Sequence, residues 1–217
     1  MSEQTGILRI GSKAPDFTAK TTHGEIKFHD WAKESWVILF SHPADFTPVC
    51  STEFNAFAQR ADDFKARNTK LIGLSIDSVY SHLAWVNQIE KLFDVKIPFP
   101  VIADLDTKVA QAYGMIHAGA SEQVTVRAVY FIDPKQDIRA IIYYPLNVGR
   151  NIDEILRTLD ALQTAGKHGV ACPANWRPGD AVIVPAPVTY DAMQKRKGEE
   201  GLDQKDWWLS KKTLPAG

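Results

Sequence analysis

The residue types that can do chemistry here cluster in SHPADFTPVCSTE, residues 41–53. Pro43, Thr47 and Cys50 form a Pro-x3-Thr-x2-Cys pattern. Thr47 suits a helix N-cap and Pro48 the first helical position, where its missing N–H costs nothing. Cys50 is then the third helical residue. Unpaired backbone N–H groups and the positive end of the helix dipole favour a thiolate over a thiol there, so Cys50 reads as a candidate nucleophile. Thr47 stands where a capping hydroxyl could bond the sulfur. The same place equally suits a small buried residue that packs a helix start. Two other cysteine motifs fail: a CxxC dithiol needs Cys at 53, which is Glu53, and a Cys-x5-Arg phosphate loop needs Arg at 56, which is Ala56.

A cation is needed as well. Arg127 lies inside the apolar run VTVRAVYFID. A guanidinium there is costly unless it meets a negative group. A Cys50 thiolate, or Glu53 one turn along the helix, would serve; a strand-face ion pair at the surface is the alternative. His42, next to Pro43, is either a proton carrier or a packed loop residue. The other histidines show no metal-ligand spacing, so no metal and no other cofactor is expected.

The elements that must position these residues follow from periodicity. Trp36 to Phe40 reads as a buried strand and 41–46 as a loop. A helix from Thr47 carries Phe54, Phe57, Ala61 and Phe64 and ends near 65–68. Before it, Phe17, Ala19, Ile26 and Phe28 alternate around His23-Gly24 as a hairpin, and 30–33 form a helical turn. After it come a strand at 70–77 and a helix capped by Ser81, with Leu83, Val86, Ile89, Leu92 and Phe93 as its stripe. A short strand at 99–103 and a helix at 107–113 follow, then strands 124–132 and 138–144 around a turn, and an amphipathic helix capped by Asn151. This order predicts an α/β fold with a mixed sheet.

Residues 168–217 are rich in proline and hold one clear strand, Ala181 to Val184. Such a piece buries too little to fold alone. Its Trp176, Trp207 and Trp208 suggest an exposed docking surface. The expected division is therefore a main domain at 1–167 and a C-terminal arm at 168–217.

Composition narrows the function classes. The 217 residues are 45% hydrophobic and 24% charged with formal net charge −1, which points away from nucleic acid. No apolar run approaches the ~20 residues of a membrane span. MSEQTGILRIG has neither the basic start nor the apolar core of a signal peptide. Cys50 and Cys172 are read as thiols of a reducing cytoplasm.

The pattern in SHPADFTPVCSTE resembles the active-site signature of the peroxiredoxins, and Ser41-His42 with Ser51-Thr52-Glu53 is most similar to their one-cysteine subfamily. The resemblance runs from APDF at 14–17 to VACPANWRPGD in the arm. It implies a thioredoxin-like fold with a C-terminal extension and a thiol-dependent peroxidase. Cys50 would reduce hydrogen peroxide and organic hydroperoxides and pass through a sulfenic acid. Pro43 would shield the pocket, Thr47 would bond sulfur and peroxide, and Arg127 would be the active-site arginine. His42, Glu53 and Arg150 would support them. Cys172, where the subfamily often has threonine, looks like a replacement rather than a resolving thiol. The implied partners are an external glutathione- or thioredoxin-like thiol and a second subunit, in a homodimer or a higher ring. A vestigial site on a client-binding scaffold is the non-enzymatic alternative. Some members also carry a phospholipase triad. His29 and Ser35 match two of its residues, but Lys135 stands at the acid's place, with Asp137 two residues on. Without an orienting carboxylate that activity is not expected.

Overall fold

A computed structural model of the chain describes residues 8–215; the expectation that MSEQTGILRIG is not a signal peptide falls, for residues 1–7, outside them. The chain divides into two compact units, Met1–Ile152 and Asp153–Gly217.

In the first unit a hairpin of β1 (Thr18–Thr21) and β2 (Gly24–Lys27) leads to the short α1 (Phe28–Ala32). Then come β3 (Trp36–Ser41), α2 (Pro48–Gln59), α3 (Ala61–Ala66), β4 (Thr69–Ser75) and α4 (Val79–Phe93). β5 (Val101–Ala103), α5 (Lys108–Ala112), β6 (Arg127–Ile132) and β7 (Ile138–Tyr144) complete it. Among the described residues one mixed sheet of seven strands runs β2-β1-β5-β4-β3-β6-β7. β3, β4 and β5 are parallel, and β6 and β7 return antiparallel.

Strand parity decides which face each side chain serves, because successive residues point to opposite sides. Val37 and Leu39 of β3 and Ala128, Tyr130 and Ile132 of β6 join a buried cluster with Phe28 and Tyr113. Phe40, at the other parity, stacks on Phe57 of α2 with centroids 4.2 Å apart and meets Phe54 and Phe99 edge-on. Arg127 has the parity opposite to Ala128, so it belongs to the face on which α2 lies. Gly73 of β4 admits this packing, since a Cβ there would come within 3.2 Å of the Phe54 ring.

Three expectations need correction. The helix expected to run unbroken from residue 47 is divided into α2 and α3 at Arg60, whose φ of −107° and ψ of 9° leave the helical well. α4 is capped by Ser78, whose hydroxyl accepts from the N–H of Ser81. Starting the helix three residues earlier changes no spacing, but its buried face is His82, Trp85 and Ile89, whereas Leu83, Leu92 and Phe93 are exposed. β6 begins at Arg127, so this residue opens the strand instead of standing inside it.

The second unit contains all but the first residue of α6 (Ile152–His168), then β8 (Val182–Val184), α7 (Tyr190–Lys197), β9 (Asp203–Asp206) and β10 (Leu209–Lys212). The three strands pair in the order β8-β10-β9. Trp176 is buried with Val170 and Val182 and donates to the Asp180 carbonyl, so it is a core residue of this unit and not part of an exposed surface; Trp208 is exposed. The polar DQKD and LSKK strands carry no period-2 apolar signal, which is why the sequence reading saw only β8.

Removing the Phe57 ring would leave a cavity under Phe40, α2 and Arg150. Phe57→Ala is expected to lower unfolding free energy by about 3–5 kcal/mol, read from urea midpoints; a loss under about 1 kcal/mol would contradict this packing role.

Candidate active site

Cys50 occupies the first turn of α2 and is fully buried. Pro48 opens the helix after Thr47 in extended conformation. Thr47 makes no side-chain cap; its hydroxyl donates to the Ala44 carbonyl at 2.9 Å, closing the loop on itself, so the hydroxyl proton is not spent on the sulfur. Phe46 is held at φ 55°, a left-handed conformation that costs a non-glycine residue about 1–2 kcal/mol. The bonds on either side of it, from Asp45 and Thr47, hold it there.

Arg127 reaches the sulfur. Its Nη1 donates to Cys50 Sγ at 3.3 Å and to Glu53 Oε2 at 2.7 Å, while Nε and Nη2 both donate to the Leu146 carbonyl. Glu53, one turn after Cys50, also accepts from the backbone N–H, Nε and Nη2 of Arg150 at 2.9, 2.9 and 2.6 Å. Arg150 Nη1 donates to the carbonyls of Ser41 and Ala128, and the guanidinium lies 5.1 Å over the Phe40 ring. All three charged side chains are at most 3% exposed. Burial alone would raise the Glu53 carboxyl; Arg150, then Arg127, outweigh it and hold it below its ordinary 4.5. Two cations on one anion leave one buried positive charge beside the sulfur.

A second buried cluster fixes the loop. His42 Nε2 lies 2.9 Å from Asp45 Oδ1, and His82 Nδ1 lies 2.8 Å from Asp45 Oδ2. The Asp45 N–H donates to Asp77. Burial pushes His42 down from 6.5, with Asp45 only partly offsetting it. Burial would raise Asp45, but the bonds from His42 and His82 hold it well below the usual carboxylate range. His42, Asp45 and His82 are also the trio of described residues whose atoms could surround a cation. Direct ring-to-carboxylate hydrogen bonds already account for their closeness.

The AhpC/TSA family matches residues 10–141, and the C-terminal domain of 1-Cys peroxiredoxin matches 161–199. A peroxiredoxin of Aquifex aeolicus is 52% identical over 98% of this chain and 100% of its own length. Peroxiredoxin 2 of Caldanaerobacter subterraneus is 54% identical over 96% and 94%. The chain belongs to the AhpC/TSA family, the peroxiredoxins.

Solved peroxiredoxins agree in shape. A yeast mitochondrial 1-Cys peroxiredoxin superposes with TM-score 0.86 at 44% identity, covering 96% of this chain and all of that one. Peroxiredoxin 6 of Arenicola marina gives 0.85 at 38%, covering 97% and 100%. The seven-stranded mixed sheet with its helices is the thioredoxin-like fold, and the three-stranded sheet belongs to the C-terminal extension. As a peroxiredoxin the protein is a thiol-dependent peroxidase, an oxidoreductase that reduces hydroperoxides.

Of the residues singled out in the sequence, Cys50, Glu53, Arg127 and Arg150 meet directly. Thr47 is in the same turn as Cys50, and Pro43 is in the loop before it. His42 is fully buried and stacks on Trp85 at 4.9 Å. Cys172 belongs to the second unit, where its S–H points to the Ala161 carbonyl at 3.5 Å; burial pushes its thiol up, and Arg157 only partly offsets this. His29 bonds the Ala14 carbonyl and Ser35 the Asn68 side chain, so these two are not joined as a hydrolase pair. Sequence reading missed Asp45 and His82. Two signals existed: the three-residue step from His42 to Asp45, and the spacing of His82, Trp85 and Ile89 on one helix face.

Glu53 links this site to stability. A carboxyl held low when folded stabilises fully above its unfolded value, and the gain is lost as pH falls through the folded one. Wild-type urea midpoints are expected to fall on acidification below about pH 4.5. Glu53→Gln should cost about 3–5 kcal/mol at neutral pH and flatten that acid limb. Unchanged neutral stability in the variant would contradict the pairing.

Proposed function

We propose that Cys50 is the peroxidatic cysteine. The supporting observation is the Arg127 guanidinium at 3.3 Å from a buried sulfur, in a cluster with one positive charge in excess. A Cys50 thiolate neutralises that cluster. It attacks the hydroxyl oxygen of a hydroperoxide; the S–O bond forms as the O–O bond breaks, the sulfur becomes a sulfenic acid, and the leaving oxygen takes up the proton the thiol gave. The backbone N–H groups of the first α2 turn and Arg127 stabilise the oxygens as charge develops. Pro43 and Thr47 shape and close the loop, with Thr47's lone pairs open to a peroxide hydrogen. Glu53 and Arg150 hold Arg127 in place. His42, neutral at physiological pH, accepts and returns the proton.

Reduction uses an external thiol. The yeast relative is described as resolving through glutathione/thioredoxin systems, and a glutathione- or thioredoxin-like donor is the reading carried to this chain. Cys172 as a raised, hydrogen-bonded thiol is a poor attacking group. A homodimer, or a higher ring, is favoured by β7, which among the described residues pairs only with β6 and so leaves a strand edge. The free thiols suit the cytoplasm; among the described residues no helix is long and apolar enough to cross a membrane. The functional division into a peroxidase domain at 1–167 and an arm at 168–217 is kept with this reading.

Cys50→Ser should abolish thiol-dependent peroxide consumption, and Cys172→Ser should leave it largely intact with a small-thiol reductant. Equal loss in both would make Cys172 a resolver. Excess peroxide should drive Cys50 to sulfinic and sulfonic acids by mass spectrometry; a quantitative Cys50–Cys172 bridge would contradict the external-thiol route.

A further inference from the structure

His82 lies outside the residues that meet the sulfur, yet it is fully buried on α4 and has a carboxylate on one side and a carbonyl on the other. Its Nδ1 is 2.8 Å from Asp45 Oδ2 and 3.0 Å from Oδ1, and its Nε2 is 3.0 Å from the Ile102 carbonyl of β5. Both are acceptors, and the Nδ1 bond to the carboxylate is made when Nδ1 carries the hydrogen. Asp45 then faces two imidazoles and can only accept. On its other side it receives His42 Nε2 at 2.9 Å, which assigns the His42 hydrogen to Nε2. The consequence falls on Nδ1 of His42, which is buried and has no hydrogen-bond partner among the described residues.

We propose that His82 is a positioning residue of the peroxidase: through Asp45 it fixes His42 as the Nε2–H tautomer and keeps Nδ1 a bare lone pair. The inference deepens the reading of Cys50 and His42 given above and rests on it. The chain of bonds is continuous, from the Ile102 carbonyl on β5 through His82 on α4 to Asp45 and His42 in the loop between β3 and α2. Three other contacts tie the same elements. Trp85, one turn along α4 from His82, donates to Ser51 Oγ beside Cys50 at 3.1 Å. It also stacks on His42. The Thr125 hydroxyl donates to the His42 carbonyl at 2.8 Å, so the backbone under the ring is held as firmly as its Nε2 side. A histidine serving only as filler would not need two acceptors at hydrogen-bond distance. Nor would it require that the next histidine keep a buried nitrogen unpaired, an arrangement that costs stability.

Two substitutions separate the bonds. Asn places its side-chain NH2 near the position of Nδ1, and Gln places it near Nε2. His82→Asn therefore keeps the donor to Asp45, and His82→Gln keeps only the one to Ile102. The rate of Cys50 thiol loss with one equivalent of hydrogen peroxide is measured by stopped flow. The His42 tautomer is read from long-range nitrogen–proton spectra of histidine-labelled full-length protein, assigned with His42→Asn. In wild type, His42 should carry its hydrogen on Nε2 alone. H82Q should slow thiol loss by about ten- to a hundredfold, the scale on which outer partners of reactive groups act. It should also give a mixed His42 tautomer, whereas H82N loses less and keeps the Nε2–H signature. Equal slowing in both variants, tracking their melting temperatures, would reduce His82 to a packing residue and overturn the proposal. So would an Nδ1–H tautomer in wild type, or an unchanged His42 spectrum in H82Q. If the wild-type thiol were lost no faster than free cysteine, the peroxidatic reading would fail, while the His42 spectra would still decide the assignment of His82.

Discussion

A carboxylate closed off from water and shared by two guanidiniums governs this molecule. Glu53 accepts from Arg127 and from the backbone and side chain of Arg150, with every member buried. Exposed ion pairs of this kind contribute ~0–1 kcal/mol. Inside, a unit-charge pair at about 4 Å has a gross attraction of ~4 kcal/mol even at an effective dielectric near 20, and an unmatched charge is correspondingly costly. The cluster has one cation too many, and the sulfur of Cys50 lies beside it. That charge excess, costly in an ordinary core, is what the proposed peroxidatic role of Cys50 rests on.

The rest of the fold keeps this charge where it is. Parity along β6 turns Arg127 toward α2, and the two bonds to the Leu146 carbonyl stop the guanidinium from swinging away. Arg150 sits over Phe40 and Phe57, so the aromatic layer beneath α2 is both core and cation support. On the other side of the loop, Asp45 binds His42 to α4, and Trp85 holds Ser51. The turn that carries Cys50 is thus clamped between the Arg127–Glu53–Arg150 cluster and a histidine–carboxylate chain that reaches α4.

Much of this was legible in the chain. A threonine, a proline and a cysteine in one short span announce a helix start, and an arginine in an apolar strand announces a buried partner. The fold class followed from alternating strands and helices. Exceptions had physical causes. The face of α4 was misread because its buried side carries a histidine, while three of its large apolar residues, Leu83, Leu92 and Phe93, are exposed. The Thr47 hydroxyl was expected at the sulfur, but a carbonyl three residues back competes for its single proton. β9 and β10 are polar and short, and backbone pairing rather than side-chain pattern makes them strands. His82 became visible only when tertiary structure brought three distant segments to one carboxylate.

The central claim is that Glu53 acts on the reaction by holding Arg127 at the Cys50 sulfur. A double-mutant cycle on the second-order rate of Cys50 thiol loss with hydrogen peroxide, comparing wild type, Glu53→Gln, Arg127→Gln and the double variant, tests it most directly. The account predicts that each single change slows the reaction and that Glu53→Gln adds little once Arg127 is gone. Fully additive losses would show that the carboxylate and the guanidinium act independently, and would contradict it.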